Sequence, residues 1–240
     1  MPTISFYPFD EETSLFTPEP EPASKNVPDW YKKQPAEIKM ATSYEYGQVG
    51  STVKKCMPIF DSMSAGYIFK APCDIYLDGT NPNRLTYSVP TPLKHLEEKL
   101  FATHALQQYD EYPINTEKEH KHLLRIMPFW SAKTPPGYST LVLPPLHGDI
   151  GPLRAIPGFI DTDKFITDGH FSFIVDRTFV GVIKRGTPLA QLIPVRREDW
   201  EMRLVPFEES EPEIMKQRLT LRSVFVNGYK MFFRSKKEYK

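Results

Sequence analysis

The chain has 240 residues, 40% apolar and 25% charged, with 16 Phe, 12 Tyr and 3 Trp, a composition that excludes wholesale disorder and supplies large rings for a core. Lys plus Arg and Asp plus Glu each number 30, so net charge draws the chain toward neither nucleic acid nor an anionic membrane. No apolar run reaches the roughly 18 residues that a membrane span needs, so no membrane partner is expected.

Met1-Pro2-Thr3-Ile4-Ser5-Phe6 carries neither a basic leader nor an apolar signal core, and a soluble, cytoplasmic protein is expected. Residues 1–28 hold Glu11, Glu12, Glu19 and Glu21 among Pro18, Pro20, Pro22 and Pro28, a mixture that predicts an extended acidic arm able to clasp a neighbour. Asp29-Trp30-Tyr31-Lys32-Lys33 follows, with Trp30 as the ring that pins the arm to the core. A single mainly-β domain over 29–233 is expected. Thr52 to Asp61, Tyr67 to Lys70 and Asp74 to Leu77 read as strands around the small corner Ser62-Met63-Ser64-Ala65-Gly66, and Asp78-Gly79 reads as a turn. Arg84 to Val89 alternates with period two and predicts a further strand.

Thr91-Pro92 starts a predicted helix near 92–107, whose Leu93, Leu96, Leu100, Phe101 and His104 repeat at helical spacing. Leu123 to Met127 and Phe129-Trp130 predict strand, as does Ser139 to Leu143. Phe171 to Val175 and Thr178 to Ile183, joined by Asp176-Arg177, read as an antiparallel pair. A second helix near 211–226 has Ser210 as its cap, Pro212 in its first turn and Ile214, Met215, Leu219 and Leu221 for burial. Residues 234–240 form a basic tail, opposite in charge to the N-terminal arm, which permits contact between copies of the chain.

Chemistry-bearing residues are sparse. Cys56 and Cys73 are expected as free thiols, because no secretion signal accompanies them. His147 and Asp149 sit two apart, so on a strand they point the same way and with His170 supply the donors of a facial iron site; their Pro-Pro-Leu-His-Gly-Asp setting reads equally as a turn. His120-Lys121-His122 lies among Glu117, Lys118 and Glu119 and is expected on a solvated surface. Lys54, Lys55, Lys70 and Arg84, beside Tyr67 and Tyr87, are candidates for a ligand patch that holds phosphate or single-stranded nucleic acid. Walker-type, dinucleotide-binding, Ser-His-Asp and His-Glu-x-x-His signatures are absent, and no cofactor is implied.

Two resemblances add to this. Lys54-Lys55-Cys56-Met57-Pro58, Ser64-Ala65-Gly66-Tyr67-Ile68, Thr134-Pro135-Pro136-Gly137-Tyr138-Ser139 and Gly158-Phe159-Ile160-Asp161-Thr162-Asp163 resemble segments of a family of uncharacterised proteins of T4-type cyanobacterial tailed phages with bacterial relatives. That likeness spans roughly residues 28–205 and implies a phage origin, hence a host-cytoplasmic or virion location. The second is shorter. Gly158 to Asp163, a β pair, then Gly186-Thr187-Pro188-Leu189-Ala190-Gln191-Leu192 is similar to the order of elements in trimeric dUTPases and dCTP deaminases, and implies a β-clip architecture. In that pattern Asp161 is the carboxylate that activates water, with Asp163 a second candidate two residues on. Lys164 stands where the pattern has its sugar-stacking tyrosine, and the phosphate-binding Arg-Ser-Gly motif and glycine-rich C-terminal arm are missing.

The sequence therefore predicts a mainly-β barrel or sandwich, β-clip-like or jelly-roll-like, with two or more peripheral helices. Its expected role is binding without catalysis, as a virion-associated or accessory factor of phage infection that partners itself or another phage or host protein. The alternative is an enzyme or nucleotide-binding module that uses Asp161, or an oxygenase that uses His147, Asp149 and His170.

Overall fold

The computed structural model describes residues 1–39, 49–148, 151–166, 171–223 and 227–240. The chain opens with strand β1 (Ser5–Pro8), helix α1 (Glu11–Phe16), strand β2 (Glu21–Pro22) and helix α2 (Asp29–Lys33). These segments fold onto the domain, which corrects the expected extended arm. Asp10 and Thr13 cap α1 reciprocally, the Thr13 N–H donating to Asp10 Oδ1 at 2.7 Å, and Glu11 and Glu12 sit at the favourable end of its dipole. Phe9 and Phe16 both pack against the buried ring of Phe129, and Trp130 Nε1 donates to Thr17. The prolines interrupt helix here, but the phenylalanines between them bury enough ring area to hold the segment down. In α2, Tyr31 rather than Trp30 is buried, stacked on Phe60 at 6.0 Å.

Strands β3 (Glu37–Lys39) and β4 (Val49–Ser51) pair only with each other among the described residues, and helix α3 (Met57–Met63) follows. A helix there replaces the strand expected up to Asp61, because Pro58 in the first turn fixes φ for helix and needs no N–H partner. Strands β5 (Tyr67–Lys70), β6 (Ile75–Asp78) and β7 (Thr86–Ser88) come where expected. The helix expected near 92–107 is instead a 3-10 turn, Thr91–Leu96, one turn of α4 (Glu97–Leu100) and strand β8 (Phe101–Thr103). Leu96 and Leu100 are buried as the periodicity required, but Phe101 pairs with Ile126, and this sheet contact overrides the helical stripe.

Further strands build the second half: β9 (Leu124–Ile126), β10 (Trp130–Lys133), β11 (Tyr138–Leu143), β12 (Leu153–Ala155) and β13 (Gly158–Ile160). They are joined by β14 (Phe171–Val175), β15 (Val180–Ile183) and β16 (Pro188–Arg196), then helices α5 (Phe207–Arg222) and α6 (Gly228–Phe232). Among the described residues all pairings are antiparallel, and none of the five sheets closes on itself.

The larger sheets run β13-β11-β16-β5-β2 and β12-β14-β9-β8. Their facing side chains, among them Phe69, Val142, Ala190 and Leu192 against Leu124, Ile126, Phe173 and Val175, belong to one core, which Ile75, Leu77 and Ile183 of the sheet β15-β6-β7 complete. The expected β14–β15 hairpin does not form. Asp176 Oδ1 accepts from the Thr178 N–H at 2.8 Å, and this tight turn sends β14 to β12 and β9 but β15 to β6.

His120 is also corrected, since it is buried. Its Nδ1 accepts from the His122 N–H (3.0 Å), which places the proton on Nε2 for donation to the Asn81 carbonyl (2.9 Å). Cys56 and Cys73 are both free thiols, and burial pushes the Cys73 thiol up to about 11.

Candidate interaction surface

Strand β16 pairs with β11 from Leu143↔Gln191 to Tyr138↔Arg196, so the next residue, Arg197, emerges beside the turn that follows β13. That turn is pinned by Thr162, whose buried hydroxyl bonds those of Thr134 (2.7 Å) and Thr140 (2.8 Å). Asp161 and Asp163 flank Thr162 and both reach Arg197. Its Nη1 lies 3.2 Å from Asp161 Oδ1 and 2.9 Å from Asp163 Oδ1, and Nη2 bonds Asp163 Oδ2, giving a bidentate pair. Ser139 Oγ donates to Asp161 Oδ1 at 2.6 Å, and the Gly137 N–H donates to Asp163 at 2.9 Å.

The Arg197 guanidinium, helped by the Gly137 N–H against partial burial, holds the Asp163 carboxyl down at about 2 and is itself raised by that partner. The two candidate catalytic carboxylates thus meet at one point, where they fasten the exit of β16. A second fastening lies past α6. The Arg234 guanidinium grips Asp61 through Nε (3.1 Å to each oxygen) and Nη2 (2.6 Å), and this contact lowers the Asp61 pKa. Tyr239 then packs edge-on against Tyr67, whose hydroxyl donates to the Lys240 carbonyl at 3.2 Å. The basic tail is anchored to its own chain at these points.

Between the two arginine clamps the chain makes an excursion unlike the rest of the molecule. Residues 201–206 carry no regular structure, and in the segment leading to α5 Trp200, Met202 and Leu204 recur every second residue at 86%, 83% and 84% exposure. Phe207 opens α5 at 66% exposure, and no residue of this 16-residue helix is buried. The burial expected for Ile214, Met215, Leu219 and Leu221 does not occur. Helix α5 packs on the short α6, which itself exposes Tyr229, Met231 and Phe232. Isolated apolar side chains on a surface need no explanation, but a contiguous run of them along one segment is the mark of an interaction site.

The remaining candidates lie elsewhere. Lys54 Nζ donates to the Tyr31 and Lys32 carbonyls (2.6 and 3.1 Å) and sits 4.6 Å over the Tyr31 ring. Lys55 pairs with Glu37 and Lys70 with Glu21, while Arg84 is exposed at the turn before β7. His147 adopts a left-handed φ of 57°, and its carbonyl accepts from Trp30 Nε1 at 2.8 Å. Asp149 and His170 lie outside the described residues. Among the described residues no three His, Cys, Asp or Glu side chains gather as a metal site.

An apolar cavity of about 280 Å³ lies beside Met63, Ile68, Leu146, Leu153 and Leu189; the amide of Gln191 on its wall is engaged by Leu146, Ser62 and Ala65, and Arg154 at its rim pairs with Glu119. His104 bridges Ser172 Oγ and Gln108 Oε1, each at 3.1 Å, and fastens the turn after β8 to the outer face of β14. Sequence reasoning missed Arg197, Arg234 and Asp61. Their only local signal is that each charged residue borders an apolar segment.

No protein-family model matches the chain, and neither does any curated protein. Among solved structures it is similar to a mutant dUTPase from phage phi11 of S. aureus, at 13% identity and a TM-score of 0.35, over 86% of this chain and 99% of that one. It is also similar to a mutant dUTPase of Staphylococcus bacteriophage 80alpha, at 11% identity and a TM-score of 0.34, over 85% and 88% of the two chains. TM-scores this low carry no information about chemistry or assembly.

Proposed function

We propose that this chain is a binding protein that engages another protein through residues 198–233. One observation carries the reading: α5 buries none of its residues, and the segment before it holds Trp200, Met202 and Leu204 almost wholly exposed. In water each such side chain forgoes about 1.5–3 kcal/mol of burial, which a partner surface would recover. The clamps at Arg197 and Arg234 support it, because they fix one end of the excursion to the turn after β13 and the other to α3, and so limit the entropy lost on binding. The resemblance to proteins of T4-type cyanobacterial phages supplies a setting, either the particle or the infected host, and mass spectrometry of purified particles distinguishes the two.

The test is the triple variant Trp200→Ser, Leu204→Ser, Phe207→Ser in the full chain. Because none of the three is buried, thermal unfolding should stay within a few degrees of the parent, while association with itself or with a protein retained from host extract should disappear. A variant that keeps every association of the parent, or a parent with none, contradicts the reading.

A further inference from the structure

We infer that the partner of α5 is a second copy of this chain, the two helices lying antiparallel about a two-fold axis between Ile214 and Met215. This rests on the reading of residues 198–233 as an interaction surface. At 3.6 residues per turn, Phe207, Glu211, Ile214, Met215, Arg218 and Leu219 fall on one side of the helix. Glu208 and Arg222 share that side, which therefore joins apolar residues to two acidic residues toward one end and two basic residues toward the other.

Charge is segregated along the axis. Glu208, Glu209, Glu211 and Glu213 occupy the first half, and Lys216, Arg218 and Arg222 the second. A parallel pair would set like against like. An antiparallel pair sets each acidic half against a basic half, and Glu211 and Arg218 are equidistant from the axis, so each faces the other in the partner. Within one chain only Glu209 of these is paired, with Arg203; the others have no ion-pair partner among the described residues. The helix is thus complementary to its own reverse, a property that no foreign partner would require. A contact about 24 Å long along a 16-residue helix is small for a stable interface, so the dimer should be weak and concentration-dependent.

Sedimentation velocity on the full chain over a concentration series tests this with two charge reversals. Glu211→Arg and Arg218→Glu should each weaken dimerisation at least ~10-fold, because each sets two like charges face to face. The double variant should restore it. An equimolar mixture of the two single variants should form a 1:1 heterodimer, since one chain then presents only basic side chains at the two positions and the other only acidic ones. A parent that dimerises regardless of these changes overturns antiparallel α5 pairing. A parent that stays monomeric while retaining a host protein that the triple serine variant loses overturns self-pairing and leaves the interaction surface standing. A monomer that retains nothing overturns both.

Discussion

At φ +69° Gly66 turns the chain from α3 into β5, and a Cβ there would lie 2.0 Å from the Leu192 carbonyl oxygen, inside the backbone of β16. Gly137 has a similar φ of +85°, with nothing within 4 Å of the corresponding Cβ. The pair separates conformational strain from steric conflict. Gly137→Ala should destabilise by only about 1–2 kcal/mol, the left-handed penalty alone. Gly66→Ala should cost about 3 kcal/mol or more, because β16 must shift as well. Urea unfolding of both variants checks this, and equal losses would show that β16 yields freely. At this scale the sequence was partly legible. Asp161 and Asp163 stand out as carboxylates in a turn, but their partner lies 34 residues from Asp163, and only the β11–β16 register reveals that Arg197 faces them. Tyr31 and Trp30 were exchanged for a similar reason: adjacent aromatics in a one-turn helix point apart, and only the position of Phe60 decides which is covered.

Strands with strict alternation or short β-branched runs, such as β7, β11 and β15, were legible because that pattern fits a half-buried sheet and little else. Elements were misread where two structures share one pattern. Leu96, Leu100 and Phe101 suit a helix face, yet Phe101 also suits a strand, and pairing with β9 decides. Partner choice was not legible at all for β14 and β15, since adjacency in sequence favours a hairpin and the turn at Asp176 breaks it. Long-range hydrogen bonds fix such choices, and Gln191 is the clearest. Fully buried on β16, it accepts from the Leu146 N–H (2.8 Å) and donates to the Ser62 and Ala65 carbonyls (2.9 and 2.6 Å), tying three elements together. Gln191→Leu keeps the apolar stem but strands the Leu146 N–H and the Ala65 carbonyl, each worth about 1–3 kcal/mol when left unsatisfied, while the Ser62 carbonyl keeps the Ala65 N–H. The urea midpoint should fall by an amount equivalent to about 2–4 kcal/mol at unchanged slope. A loss below about 1 kcal/mol would mean that water replaces the amide at both stranded groups.

For the whole molecule, acid should act in two separate windows. The buried His120 is neutral in the fold: burial lowers its pKa below 6.5, and the His122 N–H donated to its Nδ1 keeps that nitrogen unprotonated, against the Asn81 carbonyl, which favours the charged form. The unfolded chain therefore takes up a proton that the folded chain refuses, and the stability tied to His120 is complete above 6.5 and declines as pH falls below it. The clamps respond later. Asp163 is held at about 2 against 3.8 when unfolded, so its contribution is complete above 3.8 and lost as pH falls from there toward 2; Asp61, also lowered by its arginine, changes with the same sign. Urea midpoints should therefore fall in one step that begins as pH drops through about 6.5 and in a second that begins as it drops through about 3.8. His120→Gln should flatten the first step and leave the second, whereas Asp163→Asn should do the reverse. Both clamps still hold the excursion while His120 takes up its proton, so dimerisation through α5 should survive the first step and weaken only once the Asp163 and Asp61 clamps open in the second. If association fails together with the His120 step, α5 depends on the core for more than its two anchor points.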